Sequence, residues 1–112
     1  MKSIELLIVL VLLSFASKAV AQDPRLIDAA KKADIPIIVD PKAVDYSIYR
    51  GATVIKPNRK ELSDATRRRV DTDDDVIAAA SELNRLLGTD AVVVSLSDAG
   101  LILVPSAGAA LH

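Results

Sequence analysis

Residues 37–61 read IIVDPKAVDYSIYRGATVIKPNRKE, and this stretch decides the fold. It contains two short runs of apolar and β-branched side chains, at residues 37–39 and 53–55, which have the length of buried strands. The second run is soon followed by Asn58 and then by helix-forming residues that include Glu61. Asn58 is therefore predicted to cap a helix, and the succession of strands and helix favours an α/β fold.

The predicted helix start at Asn58 is a place where an anion can bind. The free N–H groups of a first helical turn and the positive end of the helix dipole both favour negative charge there. Glu61 lies one turn into the helix, where its carboxylate can hold a water-bound Mg²⁺. The alternative, which the spacing alone favours, is an ordinary capping box that stabilises the helix end and has no other role.

Outside this stretch, the chain alternates between strand and helix patterns. Strands are predicted at residues 4–13, 35–39, 54–55, 91–96 and 101–104. Helices are predicted at residues 24–33, 59–68 and 71–87, with one helical turn at residues 46–50. The apolar strands suit a mostly parallel sheet with flanking helices, and the last two strands form a C-terminal hairpin. The first helix is predicted to bury five apolar side chains: Leu26, Ile27, Ala29, Ala30 and Ala33.

Composition restricts the classes of function. The 112 residues have the length of one domain at most, and 51% of them are hydrophobic, which is ample for a core. The net charge of −1 gives no field that favours nucleic acid, and we expect the arginines at residues 67–69 and the aspartates within residues 71–75 to neutralise each other. The absence of cysteine excludes disulfides and thiolate chemistry, and the single histidine, His112, argues against a histidine base or metal ligand.

Three motifs carry a resemblance to a known family: V-D-P-K at residues 39–42, D-Y-x-x-Y-R-G-A-T at residues 45–53 and P-N-x-x-E at residues 57–61. Together they closely resemble the middle of the ribokinase-like (PfkB) carbohydrate kinases, and most of all the heptose-7-phosphate kinase domain of bifunctional ADP-heptose synthesis proteins. The resemblance runs from about residue 12 to the end of the chain and is specific over residues 36–61. It implies a ribokinase-like fold and ATP-dependent transfer of a phosphoryl group to a sugar, with a heptose 7-phosphate as the expected substrate.

In this family, the N-x-x-E motif lies beside the nucleotide phosphates and their Mg²⁺. The resemblance therefore assigns ATP binding to Asn58, Arg59, Lys60 and Glu61, with Mg²⁺ at Glu61. The partners that it implies are a nucleotide and a sugar phosphate.

Two further segments carry weaker assignments. S-L-S-D-A-G, at residues 95–100, resembles the T-x-G-x-x-G loop that lies near the nucleotide in this family, which adds Ser95 and Gly100. Serine replaces both the usual threonine and the first glycine, and a simple hairpin turn is an alternative that is compatible with nucleotide binding. Asp40 and Lys42 resemble a D-x-x-R/K pattern that contacts substrate, or else Asp40 caps a turn and Lys42 is solvated.

The resemblance also implies that the sequence covers part of a kinase. The family's G-A-G-D motif, which contains the catalytic aspartate, would follow His112, and most sugar contacts would precede Met1. We therefore expect residues 1–112 to form one partial domain that is inactive alone and whose incomplete sheet exposes an apolar edge, which invites self-association. One alternative is a non-catalytic protein, either a secreted α/β remnant or an interaction module, and another is a different small-molecule binder that uses the same crevice.

Residues 1–22 allow two interpretations. Lys2, the apolar run at residues 6–13 and the small residues at 19–21 match a signal peptide, which would make the protein secreted or periplasmic. Glu5 opposes this, and the family has a buried strand followed by a loop here, so we favour a strand plus loop in a cytoplasmic protein. No membrane span is predicted, because the apolar run is too short to cross a bilayer.

Overall fold

A computed structural model describes residues 24–42 and 45–112. The described helices are α1 (Pro24–Lys32), α2 (Arg59–Thr66) and α3 (Asp73–Leu87). The described strands are β1 (Ile38–Val39), β2 (Val54–Ile55), β3 (Ala91–Ser95) and β4 (Leu101–Pro105). Two short 3₁₀ helices lie at Tyr46–Tyr49 and Ser97–Ala99. The strand predicted at residues 4–13 and the loop predicted after it lie outside the described residues, and within the described ranges no helix is long and apolar enough to cross a membrane.

The strands form one sheet in the order β1-β2-β3-β4. β1, β2 and β3 are parallel neighbours, and β4 pairs with β3 in the antiparallel sense, from Ala91 opposite Pro105 to Ser95 opposite Leu101. This confirms the predicted mostly parallel α/β sheet with a C-terminal hairpin. On the outer side of β4, Leu103 and Leu111 exchange two backbone hydrogen bonds of 2.7 and 2.8 Å, so the tail occupies part of that edge.

The core lies mainly between the sheet and α3. Alternation along the strands sends Val39, Ile55 and the even-numbered residues of β3 and β4 to one face. There they pack against the buried face of α3, which consists of Val76, Ala79, Ala80, Leu83 and Leu87. A smaller buried cluster of Ile38, Val54 and Val93 occupies the opposite face. The sheet is therefore apolar on both faces, as expected of parallel strands.

The ends of α3 follow from local sequence. Thr72 caps its first turn, because the hydroxyl accepts a hydrogen bond of 3.1 Å from the Asp75 N–H and the Asp75 carboxylate accepts one from the Thr72 N–H. At the other end Gly88 takes a left-handed conformation with φ of 66°, which glycine adopts without steric cost. The prediction that this helix ends at Leu87 and that Gly88 closes it is confirmed.

A buried polar cluster ties α3 to the hairpin. The Asn84 side chain is 5% exposed, and its Nδ2 donates a hydrogen bond of 2.9 Å to the Val104 carbonyl. The Thr89 hydroxyl, in a residue 3% exposed, donates to Asn84 Oδ1 at 2.7 Å. Both polar ends of the Asn84 amide are thus satisfied inside the core, which fixes the position of α3 against β4.

Two predicted details near α1 are wrong. Ala29 and Ala33 are exposed, because α1 packs on the 3₁₀ helix Tyr46–Tyr49 through a narrow side centred on Ile27. Ile35 is 55% exposed and lies before the strand. Its N–H donates a hydrogen bond to the Ala30 carbonyl, so Ile35 still belongs to the end of the helix. β1 is therefore shorter than the predicted strand at residues 35–39.

Candidate functional site

The candidate site lies where β2 and β3 end. Asn58, three residues beyond β2, forms a parallel bridge with Ser95, the last residue of β3. The Ser95 N–H donates a hydrogen bond of 3.0 Å to the Pro57 carbonyl. Main-chain pairing therefore fixes the two segments that the sequence predicts to meet a nucleotide, at the carboxyl edge where open α/β sheets bind ligands.

Asn58 caps α2 through a reciprocal pair of hydrogen bonds. Its Oδ1 accepts from the Glu61 N–H at 2.7 Å, and Glu61 Oε1 accepts from the Asn58 N–H at 2.8 Å. This capping box confirms the predicted helix start. It leaves the backbone N–H groups of Arg59 and Lys60 without a hydrogen-bond partner among the described residues, so these two groups can donate to a bound anion.

The two basic side chains of the motif have partners on the protein itself. Arg59 donates from Nη1 to the Val70 carbonyl, which ties the start of α2 to the segment before α3. Lys60 Nζ lies 2.7 Å from Asp64 Oδ2, and this hydrogen bond raises the pKa of the lysine above its usual value. Lys60 is nevertheless exposed, so its ammonium group is close to solvent and to the crevice described next.

A crevice of about 520 Å³ opens beside these residues. One wall comes from the start of α2: Asn58, Arg59, Lys60, Ser63 and Asp64. The other wall comes from the end of β3 and the segment before α3: Val70, Ser95, Leu96 and Ser97. Our sequence analysis did not select Ser63, Asp64, Val70 or Leu96, since their approach depends on tertiary packing.

Ser97, and not Gly100, is the turn residue that lines this crevice. Ser97 has φ of 55°, in the left-handed region where glycine is favoured, and it occupies the place of the first glycine in the T-x-G-x-x-G pattern. That correspondence is the sequence signal that could have selected it. Gly100 has φ of 93°, and its carbonyl accepts a hydrogen bond of 2.8 Å from the Leu96 N–H. Gly100 thus closes the hairpin turn, as the structural alternative predicts.

Asp40 and Lys42 lie at the end of β1 and outside the crevice lining. Their side chains form an ion pair with Nζ 3.7 Å from Oδ1. The Lys42 N–H donates a hydrogen bond of 3.0 Å to the hydroxyl of the buried Tyr49. The structure therefore places both residues at the carboxyl edge of the sheet, beyond β1, the direct neighbour of β2.

The residues at this edge fit a metal ion only if phosphate and water supply most of its ligands. No group of three His, Cys, Asp or Glu side chains gathers as a metal site within the described ranges. Glu61 offers one carboxylate, whose Oε1 takes part in the capping box. Mg²⁺ commonly binds through one or two carboxylates together with substrate phosphates, so the donor set at Glu61 is compatible with it.

Comparison with known proteins identifies the family. Residues 9–111 match the pfkB family carbohydrate kinases. The chain belongs to this family. The bifunctional protein HldE of Bradyrhizobium diazoefficiens is 48% identical to it over 86 residues, which are 77% of this chain and 17% of that protein. HldE of Paramagnetospirillum magneticum is 48% identical over 103 residues, which are 89% of this chain and 21% of that protein.

Solved structures of kinases share the fold of this pfkB family chain. Arabidopsis thaliana ribokinase, complexed with ribose and ATP, superposes with a TM-score of 0.72 at 25% identity over 80% of this chain and 30% of that one. Phosphofructokinase-2 from Escherichia coli, in complex with substrates and products, superposes with a TM-score of 0.67 at 35% identity over the same shares. The predicted ribokinase-like fold is confirmed. The chain spans about a fifth of the length of the curated relatives named above.

Proposed function

We propose that this pfkB family chain contributes part of the nucleotide site of an ATP-dependent sugar kinase whose substrate is a heptose 7-phosphate. The likeness to HldE supports the sugar, and the ribokinase structure that contains ribose and ATP supports the nucleotide. The kinase class itself follows from the family.

The observation that carries this proposal is the free first turn of α2 beside Ser95. The N–H groups of Arg59 and Lys60, which have no partner within the described part of the chain, lie with the positive end of the helix dipole next to a crevice of about 520 Å³. A terminal phosphate can accept from these N–H groups, and the exposed Lys60 ammonium adds positive charge when it exchanges Asp64 for the phosphate. Phosphoryl transfer depends mainly on such positioning and charge neutralisation, because the protein does little covalent chemistry.

Glu61 is the proposed contact for Mg²⁺. Its Oε2 has no hydrogen-bond partner among the described residues, so it can accept from a metal-bound water while Oε1 keeps its place in the cap. When bound, Mg²⁺ neutralises the phosphate oxygens. The task of Glu61 is to orient that hydrated ion without giving up the helix end.

The remaining residue assignments have supporting roles in the proposal. Ser95 and Ser97 supply hydroxyl groups on the β3 side of the crevice, and Gly100 shapes the turn that holds them. Asp40 and Lys42, at the end of β1, are proposed sugar contacts. A cytoplasmic location and self-association through a sheet edge remain predictions; sequencing of the mature N-terminus tests the first, and sedimentation tests the second.

Titration of the labelled protein with Mg-ATP tests the site through backbone amide shifts. We expect affinity in the millimolar range, with the largest shifts at Asn58, Lys60, Ser95 and Ser97. Shifts confined to the arginines at residues 67–69, with the crevice amides silent, would show that the nucleotide is held outside the crevice and would sink the proposal.

Matched variants separate capping from nucleotide binding. Asn58→Asp keeps a good cap but adds a carboxylate beside the phosphates, so it should preserve stability and weaken Mg-ATP binding. Thr72→Ala removes the equivalent cap of α3, away from the crevice, so it should cost about 1 kcal/mol of stability and leave binding unchanged. If Asn58→Asp binds Mg-ATP as tightly as the parent, Asn58 is only a cap.

A further inference from the structure

A second cavity, of about 290 Å³, lies beside the last turn of α2. Its walls come from the 3₁₀ helix Tyr46–Tyr49 with its flanking residues, from the end of α2 and from the end of α3. It shares one lining residue, Asp64, with the crevice described above. The cavity is therefore a separate space, and the proposed nucleotide site makes no use of it.

Two arginines in this cavity have no ionic partner among the residues that the structure describes. The side chains of Arg50 and Arg67 both line it, and neither guanidinium forms an ion pair or hydrogen bond with any of the described residues. Both carboxylates of the lining are already engaged. Asp45 Oδ1 accepts a hydrogen bond of 2.9 Å from the Ser47 N–H, and Asp64 pairs with Lys60 at 2.7 Å. Lys60 thus neutralises Asp64, whereas Asp45 stays ionised, so the two arginines exceed the one uncompensated carboxylate of the lining and leave net positive charge for a ligand.

The backbone holds both arginines in fixed positions. The Arg50 N–H donates to the Ser47 carbonyl, and the following N–H, of Gly51, donates to the Leu87 carbonyl at 2.8 Å, which anchors this loop to the end of α3. The Arg67 N–H donates to the Ser63 carbonyl at 2.7 Å and closes α2. Anchored backbone reduces the entropy that the site loses when a ligand binds.

The cavity also has a smaller apolar part, formed mainly by Leu86. Leu86 is 41% exposed, although it lies on a helix whose other leucines, Leu83 and Leu87, are buried. The Tyr46 ring adds a further wall, and burial raises the pKa of its hydroxyl, so this group stays neutral and does not repel an anion. A ligand with a charged group and a small organic part would use both kinds of surface.

We propose that this cavity binds a small organic phosphate, with its phosphate between Arg50 and Arg67 and its organic part against Leu86. Phosphate is favoured over carboxylate because its additional oxygens can accept hydrogen bonds from two guanidinium groups at once, each of which can donate two in parallel. The volume is at the lower end of the range for small-molecule pockets, which suits a ligand smaller than a nucleotide.

Titration of the labelled protein with glycerol 3-phosphate tests this site. Inorganic phosphate and glycerol, titrated separately, serve as controls for the charged and the uncharged part of this probe. We expect amide shifts at Ser47, Arg50, Arg67 and Leu86, smaller ones with inorganic phosphate and none with glycerol. Equal shifts with glycerol would show that charge plays no part. If inorganic phosphate binds as tightly as glycerol 3-phosphate, Leu86 plays no part in binding. If none of the four amides shifts, the proposed site is wrong.

Three variants assign the binding to the arginines. Arg50→Gln removes one guanidinium. Arg67→Gly removes the other and suits the left-handed backbone at that position, so we expect this variant to fold. Each should weaken binding by about tenfold or more, as expected for the loss of a charge-assisted pair. The control is Arg85→Gln, on α3 but outside the cavity lining and paired with Glu82, which should leave binding unchanged. Equal losses in all three variants would reduce the effect to net charge and refute the proposal.

Discussion

The buried Asn84 amide offers the sharpest test of how this fold is held together. Asn84→Ala removes the hydrogen bond to the Val104 carbonyl and leaves the Thr89 hydroxyl without its acceptor, in a residue 3% exposed. Two lost hydrogen bonds cost about 1 kcal/mol each, and a buried polar group without a partner adds about 1–3 kcal/mol. The expected loss in the free energy of unfolding is therefore about 3–5 kcal/mol, a large fraction of the roughly 5–15 kcal/mol of a typical domain.

Urea unfolding followed by circular dichroism measures this loss. With an m-value of about 1.5 kcal/mol per M, the midpoint should fall by roughly 2–3 M. Thr89→Val removes the hydroxyl with little change of shape, so the double variant should cost less than the sum of the single ones, with a coupling of about 0.5–3 kcal/mol.

The neighbouring Arg85→Ala is the matched control for Asn84→Ala. Arg85 is exposed and forms a surface ion pair with Glu82, so its loss should change stability by less than about 1 kcal/mol. The reasoning fails if Asn84→Ala unfolds within about 0.5 kcal/mol of the parent, or if its effect simply adds to that of Thr89→Val.

Three further predictions concern helix ends, an unpaired hydroxyl and acid stability. Gly88→Ala should lower the free energy of unfolding by about 1 kcal/mol, because φ is 66° at this position. Arg67→Gly, at φ of 55°, should leave that free energy unchanged or raise it by up to about 1 kcal/mol. A fall of the urea midpoint in both variants would contradict this. Tyr46→Phe deletes a buried hydroxyl that has no partner among the described residues, so the thermal midpoint should stay or rise, and a clear fall would reveal a partner. A backbone hydrogen bond from Thr72 lowers the pKa of Asp75 below its ordinary 3.8, so its stabilising effect is present above that value and is lost as the pH falls through the lowered pKa. Asp75→Asn should therefore flatten the decline of the urea midpoint between about pH 5 and about pH 2, and an unchanged decline would count against this account.

Local signals in the sequence predicted the parts of the fold that nearby residues determine. Asn58 with Glu61 marks the start of α2, and Gly88 marks the end of α3. Each works over a few positions, through a cap or a left-handed residue, and does not depend on the rest of the fold. The β3 to β4 hairpin was predictable for the same reason.

The parts that sequence reasoning missed depend on contacts between distant segments. Ala29 lies on an apolar stripe of α1 but is exposed, since the pattern does not show how narrow the contact of that helix is. In the crevice, Val70 approaches Asn58 because Arg59 binds the Val70 carbonyl across 11 positions of the chain. The motif was enough to place Asn58 beyond the end of β2, whereas the residues of the opposite wall follow from tertiary packing.

The succession α3, β3, β4 has a consequence for the order of folding. Its antiparallel pair closes across a short turn, whereas the parallel pairs join Ile38 with Val54 and Val54 with Ala91, positions separated by 16 and 37 residues. Loop closure costs more entropy for such distant pairs, so the C-terminal unit should form first and retain its amide protons longest. The pairing of β2 with β3 then forms late. A ligand that contacts both Asn58 and Ser95 can bind only after this pairing is complete. The proposed nucleotide would therefore stabilise the pairing of β2 with β3, which forms last.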